Sequence, residues 1–153
     1  MAAAAASLIT RLGGLAILLL SLLALCAPAQ AQAADIAAAD RAAITNVIER
    51  QMAAFAKDDA ATAFSFASPA IQHQFGSPDT FMQMVESGYR AVYRPRSVSF
   101  REARRAADRV IQEVDVIGPD GNGVRAFYIM ERESDGSWRI DGVSLAPGSE
   151  KET

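Results

Sequence analysis

Hydrophobic residues recur every three or four positions from Asp40 onwards, which predicts a long amphipathic helix. Ile44, Val47, Ile48 and Met52 continue to Phe55 along one stripe. A helix with one such stripe packs that face on a core and leaves its other faces to solvent. The pattern therefore predicts a first helix that packs its apolar face against the hydrophobic face of another element of the fold.

Three polar residues predict the starts of shorter helices. Asp59, Ser68 and Ser77 each precede a short segment, and the two serines are followed directly by proline. Asp and Ser side chains accept hydrogen bonds from the free N–H groups of a first helical turn, and proline in that turn has no N–H to leave unpaired. Gly88 is a suitable stop for the last helix. The expected helices cover residues 60–66, 69–75 and 78–87.

After Pro95 the hydrophobic period changes to two, which predicts β-strands. Val98 and Phe100 alternate with polar residues, and the turn signals at residues 118–123 and at Asp135-Gly136 separate later segments. The expected strands lie near residues 97–101, 110–116, 124–133 and 137–145. Helices followed by an antiparallel meander are typical of an α+β fold, here as one domain over residues 40–147.

The third expected strand carries hydrophobic residues on both faces. Phe127 and Ile129 point to one face, whereas Tyr128 and Met130 point to the other. An ordinary two-layer sheet has one wet face. We therefore expect a strongly curved sheet that wraps around the long helix and encloses a cleft.

The first 31 residues have the pattern of a secretory signal peptide. Arg11 supplies the positive charge, an apolar stretch runs through residues 14–26, and Ala29-Gln30-Ala31 fits the small-residue cleavage rule. Cys26 would leave with the signal. The expected mature protein is periplasmic or secreted and has no stable membrane span, with a flexible lead-in at 32–39 and a charged tail at 148–153; an uncleaved N-terminal anchor is the alternative.

Charge and composition exclude several classes of function. The formal net charge is −3, which argues against a dedicated nucleic-acid binder. One Cys and one His exclude an internal disulfide, a Cys-based zinc site and a His-rich metal site. No glycine-rich phosphate loop or calcium loop is present in the sequence. We therefore expect neither a metal nor a cofactor.

The stretch from Phe55 to Phe100 resembles a bacterial family known as domain-of-unknown-function family DUF4864. Tyr93-Arg94-Pro95-Arg96-Ser97 is its most specific part, and the later segment SDGSWRIDGVSL at residues 134–145 fits the same family. This last hairpin is also similar to that of cone-shaped domains of the nuclear-transport-factor-like, or cystatin-like, superfamily. The resemblance implies a cone-like α+β fold and an exported location, and it implies no activity.

Four residues are candidates for acid–base chemistry in such a cone. Asp141 or His73 could move a proton next to a carbonyl, and Tyr128 or Tyr93 could donate a hydrogen bond to the resulting oxyanion. The competing interpretations are ordinary: Asp141 pairs with a neighbouring arginine or bonds the backbone before Gly142, and His73 is a solvated surface residue. No catalytic residue is therefore assigned.

Arginines are concentrated in residues 90–109 and suggest an anion site. Arg94 and Arg96 flank Pro95 and follow Tyr93, so these three side chains are the best candidates to hold a carboxylate or phosphate. The alternative is that the arginines pair across the sheet with acids such as Glu131.

The sequence as a whole favours an exported, non-catalytic binding module for a small anionic ligand or a protein partner. A cofactor-free isomerase- or cyclase-like enzyme is the first alternative. A structural or oligomeric interaction module, such as a homodimer, is the second.

Overall fold

A computed structural model describes residues 35–148 of the chain. Within these residues five helices precede four strands, so the predicted order of helices and then strands is confirmed. The signal peptide expected at 1–31 lies outside the described residues, as does all of the expected charged tail except Gly148. The elements are α1 (Ala38–Ala56), α2 (Ala60–Ser65), α3 (Pro69–Phe75), α4 (Pro78–Gly88), α5 (Arg90–Tyr93), β1 (Ser97–Ala106), β2 (Arg109–Ile117), β3 (Gly123–Arg132) and β4 (Trp138–Pro147).

Helix α1 buries the stripe that its sequence predicted. Ile44, Ile48 and Phe55 are at most 2% exposed. The helix starts at Ala38, and Ile36 just before it is buried in the core. Ile36 thus packs in the core, and α1 begins two residues later, within the segment 32–39 for which a flexible lead-in was expected. No helix among residues 35–148 is long and apolar enough to cross a membrane.

The three predicted caps form. Asp59 accepts from the Thr62 amide at 3.0 Å, Ser68 from that of Ile71 at 3.2 Å, and Ser77 from that of Thr80 at 3.2 Å. These hydrogen bonds satisfy backbone donors that the first turn of a helix leaves free.

The predicted stop at Gly88 differs from the structure. Gly88 is the last residue of α4, and the chain continues through Tyr89 into the short helix α5. Tyr89 donates its own amide to the Val85 carbonyl. The four-residue helix α5 has no periodic pattern of its own, which is why the sequence did not predict it.

The four strands form one antiparallel sheet in the order β1-β2-β3-β4. The register shifts between Phe100 and Ala103 in β1, and at Ile129–Met130 where β3 pairs with β4. In the second shift Met130 faces Ile140 and Ile129 faces Gly142, which leaves Asp141 as the extra residue of a bulge. The α+β fold expected from the sequence is confirmed.

The hydrophobic core consists of two clusters. The larger cluster places Ile44, Ile48 and Met52 of α1 against the inner face of the sheet, where Val114 and Tyr128 are completely buried. The smaller cluster joins the end of α1 to α2 and α4; its buried members are Ala54, Phe55, Ala63, Phe81, Met82 and Val85. One helix cannot cover the whole inner face of a four-stranded sheet, so the short helices cover the part of that face that α1 leaves open.

Candidate functional site

A cavity of about 200 Å³ lies between the two hydrophobic clusters. Its wall is mostly apolar. Phe55, Phe81 and Val85 belong to the helical cluster, whereas Tyr128 and Ile140 belong to the cluster on the sheet. The cavity is therefore the space that remains where the two parts of the core meet. The other lining residues are Gln51, Ala67, Ile71, Gln74, Phe75, Met84, Tyr89, Val92, Gly142 and Val143.

Tyr128 is the unusual residue of this wall. Its side chain points from the middle of β3 to the inner face of the sheet and is 0% exposed. Its hydroxyl has no hydrogen-bond partner among residues 35–148. Burial raises the pKa of this hydroxyl far above its usual value, so it stays protonated and can act as a donor. A buried hydroxyl without a partner destabilises a fold by about 1–3 kcal/mol.

Two further polar side chains in the wall have partners. Gln51, which is 3% exposed, donates through Nε2 to the Ala63 carbonyl at 3.1 Å. Tyr89 donates its hydroxyl to the Val143 carbonyl at 3.1 Å, which ties the end of α4 to β4. Gln51 is not among the site residues predicted from the sequence. Its position could have indicated a buried polar residue, because Gln51 lies three residues after Ile48 and so falls on the hydrophobic stripe of α1.

The cavity reaches the protein surface beside α3. Gln74 in its lining is exposed, and Ile71, Phe75 and Met84 are half-buried. This side is bounded by α3 and α4, whereas Tyr128 lies at the sheet. A molecule that enters beside α3 would therefore have its inner end near Tyr128.

Asp141 is held by other residues and does not line the cavity. As the bulged residue of β4, it accepts from the Ser68 hydroxyl at 2.6 Å and from Arg109 Nε at 3.1 Å. Arg109 also contacts Glu131 at 3.1 Å. Ser68 is completely buried and caps α3 through the same hydroxyl. The carboxylate thus connects the start of α3 to the sheet, which is the arginine pairing considered as the alternative to catalysis.

His73 lies on α3 and is exposed to solvent. It is not among the residues that line the cavity, and Asp79, its expected orienting partner, is also exposed. The structure therefore does not bring His73, Asp141 and Tyr128 together around one site.

Tyr93 and Arg94 form a cluster with Asp58, which has a left-handed backbone with φ of 55°. Arg94 donates to the Asp58 carboxylate at 2.7 Å and to the Ala56 carbonyl at 2.5 Å, and its guanidinium lies 4.7 Å from the centre of the Tyr93 ring. Tyr93 also donates to Asp58. The Tyr93 hydroxyl and the Arg94 guanidinium hold the pKa of Asp58 below its usual range.

Arg96 has different neighbours from Arg94. Its guanidinium lies beside Gly121, in the turn between β2 and β3, and its charge acts on Asp120 in the same turn. The three residues predicted to hold an anion are thus divided between the end of α1 and a turn of the sheet. Arg94 already makes the type of contacts that an anion would supply.

This geometry suits binding better than proton transfer. The residues that line the cavity supply mostly apolar walls, the amides of Gln51 and Gln74, the phenols of Tyr89 and Tyr128, and no carboxylate or imidazole. A general acid or base has to lie within hydrogen-bond reach of the proton that it moves. The arrangement can therefore enclose a small molecule and hold it at one polar atom.

The fold and the cavity define an α+β domain with a mostly apolar cavity between its helices and its sheet. The chain belongs to the family described as Domain of unknown function (DUF4864), which matches residues 37–153. A search of the curated proteins found no match.

Two matched serine variants test the role assigned to Asp141. Both serines cap a helix, but only Ser68 also donates to Asp141. We expect Ser77→Ala to lower the free energy of unfolding by about 1 kcal/mol, the usual value of a cap. Ser68→Ala should lower it by about 2–4 kcal/mol, because a hydrogen bond to a carboxylate is lost as well. Urea denaturation measures both, and equal losses would contradict the assigned connection.

Proposed function

We propose that this domain is a non-catalytic binding module that encloses a small, mostly apolar molecule in the cavity between its helices and its sheet. The observation that carries the proposal is Tyr128. A completely buried hydroxyl without a partner among residues 35–148 is an unfavourable feature of a core unless something else bonds it. A ligand with a polar atom would supply that bond.

The nature of the wall supports binding. Ligand pockets are typically apolar with a few polar groups that fix orientation. Here Phe55, Phe81 and Val85 supply apolar surface, and Tyr128 supplies the polar group. The size is also suitable, since an apolar cavity of roughly 150 Å³ takes up benzene. Isomerase-like chemistry is less well supported, because Asp141 and His73 do not line the cavity.

Export is the second part of the proposal. It is supported by the charge at Arg11, the apolar stretch that follows, and the small residues Ala29 and Ala31 at the expected cleavage point. A domain that binds an apolar molecule outside the cytoplasm would act on compounds taken up, released or carried there.

A cavity-filling variant tests the binding function with toluene as the probe. Val143 lines the cavity, whereas Ser144 beside it is exposed on the opposite face of β4. We expect toluene to shift the amide NMR signals of cavity residues in a saturable manner. Val143→Phe should weaken this binding by about tenfold or more, since the added ring occupies the same space.

Ser144→Phe adds the same ring outside the cavity and serves as the control, with binding as in the wild type. Shifts that are spread over the whole surface, or a Val143→Phe variant that binds toluene as well as wild type does, would show that the cavity is not a binding site.

Mass spectrometry of the protein from its natural cells tests export. A cleaved signal predicts a mature N-terminus between Gln30 and Ala34. A protein that retains the apolar residues between Leu15 and Leu25, or that carries a lipid on Cys26, would contradict cleavage as proposed.

A further inference from the structure

We infer that the ligand is electrically neutral and that it presents a hydrogen-bond acceptor, such as a carbonyl or ether oxygen, to the Tyr128 hydroxyl at the inner end of the cavity. The inference rests on the proposed binding function and specifies the chemical class of ligand. It differs from the small anionic ligand that the arginines of residues 90–109 suggested.

The composition of the cavity wall is the reason to expect a neutral ligand. None of the lining residues is charged, and the polar side chains among them are the amides Gln51 and Gln74 and the phenols Tyr89 and Tyr128. Transfer of a carboxylate or ammonium group from water into such a space is strongly unfavourable without an opposite charge.

The arginines do not supply that opposite charge. Arg94 is bound to Asp58 and Ala56, and Arg109 to Asp141 and Glu131; neither residue lines this cavity. A charged ligand would therefore lose its hydration without gaining a partner.

The acceptor follows from the chemistry of Tyr128. A protonated phenol surrounded by apolar groups offers one O–H donor. Tyr89 donates its one O–H to the Val143 carbonyl, and Gln51 donates one N–H of its amide to the Ala63 carbonyl, so Tyr128 is the phenol of the wall whose donor has no partner among residues 35–148. The ligand group that bonds the Tyr128 hydroxyl is thus a hydrogen-bond acceptor. A ligand without an acceptor would leave this hydroxyl without a partner.

Three probes of nearly equal shape separate these requirements: acetophenone, benzoate and isopropylbenzene. All three have a single ring with a branched substituent, but acetophenone carries a neutral acceptor, benzoate a charge, and isopropylbenzene neither. NMR titrations of wild type and of Tyr128→Phe at pH 7 give the dissociation constants. Tyr128→Phe keeps the ring that fills the core and removes only the hydroxyl.

We expect benzoate to bind wild type at least about tenfold more weakly than acetophenone does. The preference for acetophenone over isopropylbenzene should fall about three- to tenfold in Tyr128→Phe, the range expected for one hydrogen bond. The ratio of the two neutral probes is the relevant quantity, because it cancels any general effect of the substitution on the cavity.

The outcomes are distinguishable. Benzoate binding in the cavity as tightly as acetophenone would overturn the neutral-ligand inference and leave the binding function intact. An unchanged acetophenone preference in Tyr128→Phe would overturn the assignment of the acceptor to Tyr128. If none of the three probes shifts the cavity signals, the binding function itself has failed, and the inference fails with it.

Discussion

The inner face of the sheet is mostly apolar, with the buried Gln112 of β2 as an exception, and α1 alone cannot cover it. The stripe of α1 occupies the part in front of Val114 and Met130, where the side chains are completely buried. The rest is covered by short helices of at most 11 residues, among them α5, whose Val92 is buried in the cluster on the sheet. Short helices have too little contact area to form independently, so their positions depend on hydrogen bonds to the sheet as well as on packing.

Those hydrogen bonds determine where the cavity is. Ser68 is bound to Asp141 in the bulge of β4, and its backbone amide donates to the Ile140 carbonyl at 2.8 Å. Tyr89 is bound to Val143 further along the same strand. The beginning of α3 and the end of α4 are thus both attached to β4, and the space between them stays open down to Tyr128. In this account the cavity is a consequence of how the short helices are attached.

Local chemistry explains most of what the sequence predicted correctly. Asp59, Ser68 and Ser77 cap helices through contacts to residues three positions away, so the signal and its effect lie within one turn of chain. The strands followed in the same way from alternation and turn residues. Alternation also placed Tyr128 and Met130 together on one face of the third strand, but it did not show which face is the inner one.

The remaining features depend on contacts between distant parts of the chain. The bulge at Asp141 turns its carboxylate towards Arg109 and Ser68, and a simple alternation along β4 does not reveal that shift. Arg94 pairs with Asp58, 36 residues earlier, because the fold brings the end of α1 beside α5. The pattern of arginines suggested an anion site because the sequence does not show which acids these side chains meet.

We expect the Tyr128 hydroxyl to have no role within the fold itself, and the stability of Tyr128→Phe in the absence of ligand tests this most directly. Tyr89→Phe is the matched control, since the Tyr89 hydroxyl has a partner in Val143.

Urea denaturation should show that Tyr89→Phe lowers the free energy of unfolding by about 0.5–1.5 kcal/mol, the value of one hydrogen bond. Tyr128→Phe should be as stable as wild type or more stable, by up to about 3 kcal/mol, because an unsatisfied buried hydroxyl is removed. A loss for Tyr128→Phe as large as that for Tyr89→Phe would show that the hydroxyl is bonded within the protein and would contradict the account.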